Sequence, residues 1–154
     1  MTVGNKPKQL GFTMVELLIT MGLVSILAML AAPSFAQYIK QERLVTTANQ
    51  LSSVYRYARS EAVKRAQTVI LTKQDKSWLV EIEVVGGRET LRQFDSNYPT
   101  VNADLVDRMI RSTGELNLQS NILITDNDAN TVDYRLCILR SGQSWLSKAE
   151  ENCA

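Results

Sequence analysis

The chain has 154 residues, 45% of them hydrophobic and 21% charged, with a formal net charge of +1. That is room for one folded head plus a membrane segment, in a composition unlike that of a disordered scaffold. Histidine is absent, which excludes imidazole bases, histidine-activated serine or cysteine nucleophiles, and histidine-containing metal sites.

A polar leader, MTVGNKPKQLG, carries Lys6 and Lys8. Residues 17–39, LLITMGLVSILAMLAAPSFAQYI, then run for 23 positions without a charge. At about 1.5 Å per helical residue, such a run crosses a hydrocarbon core of roughly 30 Å. The two lysines hold the leader on the cytoplasmic side, so the chain beyond Tyr38 faces the opposite side. A secretory signal is the alternative, since Ser34, Phe35 and Ala36 offer a small-x-small cleavage pattern. The apolar run is longer than a signal core of about 7–15 residues, and a helical pattern continues through the cut.

Glu16 sits at the mouth of this run. One reading makes it part of a capping box with Thr13, in which the threonine caps the helix and the glutamate reaches back to a free backbone N–H. The other gives it a partner, because a carboxylate at membrane depth is expensive and usually marks one. Pro33 within the run removes a backbone hydrogen bond and predicts a break or kink there.

After the span, Leu44, Ala48, Leu51, Tyr55, Ala58, Ala62, Ala66 and Val69 recur at alternating spacings of three and four. They form one apolar stripe, predicting a helix that continues to about Ala66 with Arg43, Arg56, Lys64 and Arg65 pointing away from the stripe. Residues 55–65, YRYARSEAVKR, also read as a basic face with interleaved tyrosines. Glu61 interrupts the cations and Tyr55 belongs to the stripe, which favours a solvated or subunit-contacting face over a phosphate track.

Residues 68–73 and 78–85 alternate and are rich in β-branched side chains, predicting a hairpin turned at Asp75 and Lys76. Gly86 and Gly87 then lead into a third strand over residues 88–94. Between Ser96 and Glu115 the pattern weakens, and a short helix or a loop fits equally. Residues 121–126 and 132–140 predict two more strands. Between them Asp126, Asp128 and Asn130 suggest an incomplete calcium loop, but Thr131 stands where a glycine is required and no acidic twelfth residue follows, so a turn is the reading. Cys137 and Cys153 enclose 15 residues, and a non-cytoplasmic location permits a disulfide between them. A reduced pair or intermolecular bonds are the alternatives.

The leader, Gly11, the run Phe12-Thr13-Met14-Val15-Glu16-Leu17-Leu18 and the charge-free helix with Pro33 closely resemble the class III signal of type IV pilins and type II secretion pseudopilins. The whole pattern, with its late cysteine pair, is similar to the FimT, FimU and GspH group of minor pilins and pseudopilins. The resemblance implies an α+β fold, in which a long N-terminal helix, transmembrane in its first half and amphipathic in its second, packs on an antiparallel β-sheet head. It divides the chain into a cytoplasmic leader (1–11), a transmembrane and filament-core helix (12–39) and a periplasmic head (40–154). The head comprises an amphipathic helix over about 40–66 and sheet over about 68–154.

It further implies cleavage by a prepilin peptidase between Gly11 and Phe12 and N-methylation of Phe12. Glu16 would pair with the new amine of an adjacent subunit during assembly. The implied partners are the peptidase, other minor pilins and the major pilin through the N-terminal helix, and an inner-membrane assembly platform. The implied location is the bacterial inner membrane, single-pass with a periplasmic C-terminus, and then a pilus or pseudopilus tip. No cofactor and no enzymatic activity are implied.

DNA-binding relatives in this group carry a C-terminal Gly-Arg-x-Arg stretch. This chain has Gly142-Gln143-Ser144-Trp145, a turn lacking both arginines. Arg140, Trp145 and Lys148 are the nearest candidates for nucleic-acid contact, and the missing arginines argue against direct DNA capture. The functional expectation is a FimU-like minor pilin that primes or joins the pilus tip. A FimT-like DNA receptor for transformation and a GspH-like pseudopilin of a type II secretion system are the alternatives.

Overall fold

A computed structural model of the chain describes residues 11–153. The predicted leader, with Lys6 and Lys8, lies outside the described residues except for Gly11. The chain divides between Ala36 and Gln37.

The first helix, α1, spans Met14–Lys64. Thr13 caps it, its hydroxyl oxygen accepting the backbone N–H of Glu16 at 3.2 Å. Pro33 lies inside α1 and does not end it, so of the expected break or kink the helix shows no interruption. The proline ring removes a single backbone donor, and the neighbouring turns retain theirs. Every residue from Gly11 to Lys40 is exposed. At its other end, α1 stops at Lys64 rather than Ala66. Ala66 adopts a left-handed φ of 52°, Gln67 N–H bonds Ala62 C=O and Ala66 N–H bonds Val63 C=O, each at 3.3 Å. This is a Schellman cap, and it turns Ala66 out of the apolar stripe into solvent.

The head carries two four-stranded antiparallel sheets where one had been expected. In the first, β1 (Val69–Gln74), β2 (Ser77–Val84) and β3 (Gly87–Asp95) form the predicted meander. The 96–115 region, expected as helix or loop, supplies two short strands, β4 (Asn102–Ala103) and β5 (Arg108–Ile110). Of these, β5 pairs with β1, giving the order β3-β2-β1-β5. The second sheet has the order β4-β6-β7-β8, with β6 at Ser120–Thr125, β7 at Tyr134–Ile138 and β8 at Ser144–Lys148. No sequence pattern had announced β8. Residues read as a turn at Ser144 and Trp145 open this strand, and the turn itself runs from Leu139 to Gly142, where the Gly142 N–H bonds Leu139 C=O at 2.9 Å.

The stripe residues Leu44, Ala48, Leu51, Tyr55, Ala58 and Ala62 are buried. They share one core with Val69, Leu71, Trp78, Val80 and Ile82 of the first sheet and Ile122, Ile124, Leu136 and Ile138 of the second. Small alanines on the helix let both sheets approach it. Each fully buried Leu or Ile contributes roughly 1.5–3 kcal/mol. Trp78, wholly buried, satisfies its indole N–H on Val106 C=O at 3.0 Å. The predicted disulfide joins Cys137 to Cys153, with Cα atoms 5.5 Å apart, and ties the tail back to β7.

Candidate functional site

Two features of the chain offer themselves to a partner. The first is the N-terminal part of α1. It contains a segment long and apolar enough to cross a membrane, none of it buried within the chain. Met14, Met29 and Leu30 are each more than 70% exposed, so this surface must be covered by lipid or by other helices. Phe12 is likewise exposed. Only half of the capping box forms, for Thr13 accepts the Glu16 N–H. The Glu16 carboxylate makes no hydrogen bond or ion pair among the described residues, which leaves it free for a cation from elsewhere.

The second feature is a groove of about 830 Å³ between the C-terminal part of α1 and the turn from β7 into β8. Sequence reasoning missed it, because its walls lie 78 or more positions apart, from Lys64 to Gly142 at the nearest. Arg56, Arg59 and Lys64 come from the helix, and Trp145 from β8. One contact joins the two walls, and a second ties the helix to Gly114, which lies against Gly142. Tyr55 donates its hydroxyl to Gly142 C=O at 2.9 Å, and burial pushes that phenol up to about 12. Arg59 Nε donates to Gly114 C=O at 3.0 Å.

The close approach explains Gly142. Its φ is +82°, and a Cβ there would stand 2.0 Å from Gly114 O and 2.6 Å from Arg59 Nε. Gly142 therefore has a packing role. Of the three tail candidates for nucleic-acid contact, only Trp145 lines the groove. Arg140 lies within the turn that runs from Leu139 to Gly142 and does not line the groove. Lys148, three positions beyond Trp145 on β8, points to the opposite face of the strand.

The helix cations are partly engaged. Arg56 donates to the Ser52 hydroxyl at 2.9 Å, and Arg65 and Lys64 pair with Glu61 at 2.8 and 3.6 Å. The Arg65 hydrogen bond, with both cations adding to it, holds the Glu61 carboxyl below its ordinary value. Arg43, expected to project away, lies over the Tyr98 ring, 5.5 Å from its centroid.

The turn between β6 and β7 resolves the calcium-like pattern. Asp126 Oδ1 accepts the Asp128 N–H at 3.1 Å and the Thr131 hydroxyl at 2.6 Å. Asp128 accepts the Asn130 N–H at 3.0 Å and binds the Lys40 ammonium at 2.5 Å. The acidic oxygens thus build the turn and hold a lysine of α1. The Lys40 bond, with the Asn130 donors, pulls the Asp128 carboxyl down to about 2. Beside it Gln41 pairs with Val132 in both directions, at 3.1 and 2.7 Å, and Gln37 donates to Asn130 C=O at 2.5 Å.

An N-terminal helix that is apolar and uncovered in its first part, and packed on antiparallel sheets in its second, defines the class: a type IV pilin-like subunit. The chain belongs to the GspH family. The family model described as "Type II transport protein GspH" matches residues 47–147, and the prokaryotic N-terminal methylation motif matches residues 6–32.

Among solved structures, the chain is similar to the type IV minor pilin FimU of Pseudomonas aeruginosa. In one crystal form the TM-score is 0.62 at 20% identity, covering 74% of this chain and 95% of that one. In a second form the TM-score is 0.58 at 22% identity, covering 70% and 95%. It is also similar to the minor pseudopilin EpsH of the Vibrio cholerae type 2 secretion system, with a TM-score of 0.58 at 13% identity, covering 71% and 99%. At these identities the likeness establishes the fold. Among curated protein sequences, none matches.

Proposed function

We propose that this chain is a minor pilin of the FimU kind, a structural subunit that primes or joins the pilus tip with other minor pilins. A prepilin peptidase cuts between Gly11 and Phe12 and methylates the new amine of Phe12. The subunit is stored in the bacterial inner membrane, single-pass, with its head in the periplasm. Glu16 then attracts the N-terminal amine of a neighbour as the helix leaves the membrane through the assembly platform. The head selects the neighbours among minor and major pilins, and the subunit carries out no chemistry of its own.

The observation that carries this reading is the pairing of an entirely uncovered apolar helix with a Glu16 carboxylate that has no partner among the described residues. A simple membrane anchor needs the first and not the second. The test is mass spectrometry of the mature N-terminus with and without the peptidase. An N-methylated chain beginning at Phe12, formed only when the peptidase is present, is the expected result. An uncut chain, or one beginning at Gln37, overturns the proposal.

A GspH-like pseudopilin is the second reading, favoured by the description of the family model that matches the head. Deletion separates the two, since loss of secretion with intact pili supports the pseudopilin and loss of pili with intact secretion supports the pilin. A DNA-receptor role has less to support it, because only Trp145 of the three tail candidates lines the groove and Lys148 falls on the other face of β8.

A further inference from the structure

The groove between α1 and the β7 to β8 turn is lined by three cations and no carboxylate. We propose that it is a docking site for an acidic segment of a partner protein carrying one large apolar side chain, which enters beside Trp145 while its carboxylates meet Arg56, Arg59 and Lys64. The inference deepens the subunit reading by naming the chemistry of a neighbour's contacting segment.

Three observations favour this occupant. Tyr55, Val63 and Trp145 line the same space as the cations, so an apolar anchor is recognised together with charge. The cations are discrete: Arg59 is held by Gly114 C=O and Arg56 by Ser52, which fixes their heads in place before a partner arrives. The charge of the head is also balanced. Lys6, Lys8 and Glu16 precede Gln37, so the 17 cations and 16 anions of the chain leave equal numbers from Gln37 onward. A head with no net charge lacks an overall attraction for a polyanion, whereas short-range pairing inside a groove serves a peptide carboxylate.

The test uses the full chain in detergent micelles and an array of capped, dye-labelled hexapeptides. These carry a central phenylalanine, leucine or serine and zero, one or two glutamates, and a labelled oligothymidine serves as the competing class. Binding is expected to require the apolar residue and to strengthen with each glutamate. Trp145→Ala is expected to weaken it about tenfold or more. Lys64→Glu, at a side chain 70% exposed that gives up its 3.6 Å pair with Glu61, is expected to weaken the diglutamate peptide about tenfold, with thermal unfolding of the variant measured alongside to show that the head still folds. Failure of every peptide, binding indifferent to glutamate, or affinity unchanged in both variants overturns the proposal. Oligothymidine binding more tightly than any peptide, and lost in Lys64→Glu, also overturns it by making the groove a nucleic-acid site. None of these outcomes bears on processing at Phe12, so the docking proposal and the subunit reading fail separately.

Discussion

Replacing Gly142 by alanine tests whether the clamp between α1 and the β7 to β8 turn holds the head together. The added Cβ would stand 2.0 Å from the backbone oxygen of Gly114, an atom that cannot swing aside as a side-chain end can, so the turn itself must move. A left-handed φ costs an alanine about 1–2 kcal/mol. Moving the turn also strains the buried Tyr55 to Gly142 bond and the Arg59 to Gly114 bond, each contributing about 0.5–1.5 kcal/mol. Together the loss is about 2–5 kcal/mol.

Gly86→Ala is the matched control. Its φ of +99° carries a comparable backbone cost, but nothing lies within 4 Å of the added atom. The difference between the two variants is therefore the clamp alone, about 1–3 kcal/mol, or about 5–15 °C in Tm for a head of this size. Thermal unfolding of the full chain in detergent, followed by circular dichroism so that the signal does not depend on Trp145 beside the substitution, measures it. If Gly142→Ala melts within a degree or two of Gly86→Ala, the close approach contributes nothing and the reasoning is wrong.

Cys153→Ser opens the 16-residue separation closed by the disulfide and is expected to cost about 3 kcal/mol, an effect that a reductant reproduces in wild type and leaves unchanged in the variant. The Lys40 and Asn130 bonds pull the folded-state Asp128 carboxyl down to about 2, below the ordinary aspartate value; its contribution is thus fully present above the unfolded value and lost as pH falls toward 2. Asp128→Asn should lower stability at neutral pH, with the gap from wild type closing through that acid window in chemical denaturation. Glu16→Ala is expected to leave head stability and cleavage at Phe12 intact while lowering the amount of subunit in sheared filaments at least about tenfold, by immunoblot; normal incorporation would remove the assembly role of Glu16.

The N-terminal reading was available from sequence because its signals are local. A charge-free run, a threonine three positions before a glutamate and two upstream lysines need no distant partner to be recognised. The helix stripe from Leu44 to Ala62 and the first three strands were legible for a similar reason, since periods of 3.6 and 2 record which side of an element meets the core. Ala66 shows the limit of that logic. It continues the stripe in sequence, but a Schellman cap turns it outward, and nothing local distinguishes an alanine that ends a helix from one that extends it.

Sequence alone thus determined the anchor, the candidate processing residues, the amphipathic helix and the predicted cysteine pair. Tertiary structure decided the rest. β8 is a mixed run, SWLSK, that becomes a strand because β7 lies beside it and the disulfide brings the tail back. The aspartates of the β6 to β7 turn hold Lys40 because folding carries that turn to the helix. Gly142 is required because Gly114 and Arg59 converge on it, and the groove exists because Trp145 comes to face cations from a helix more than 80 positions earlier. Each depends on contacts between distant parts of the chain, and the entropy lost in closing those loops is recovered only when the whole core forms.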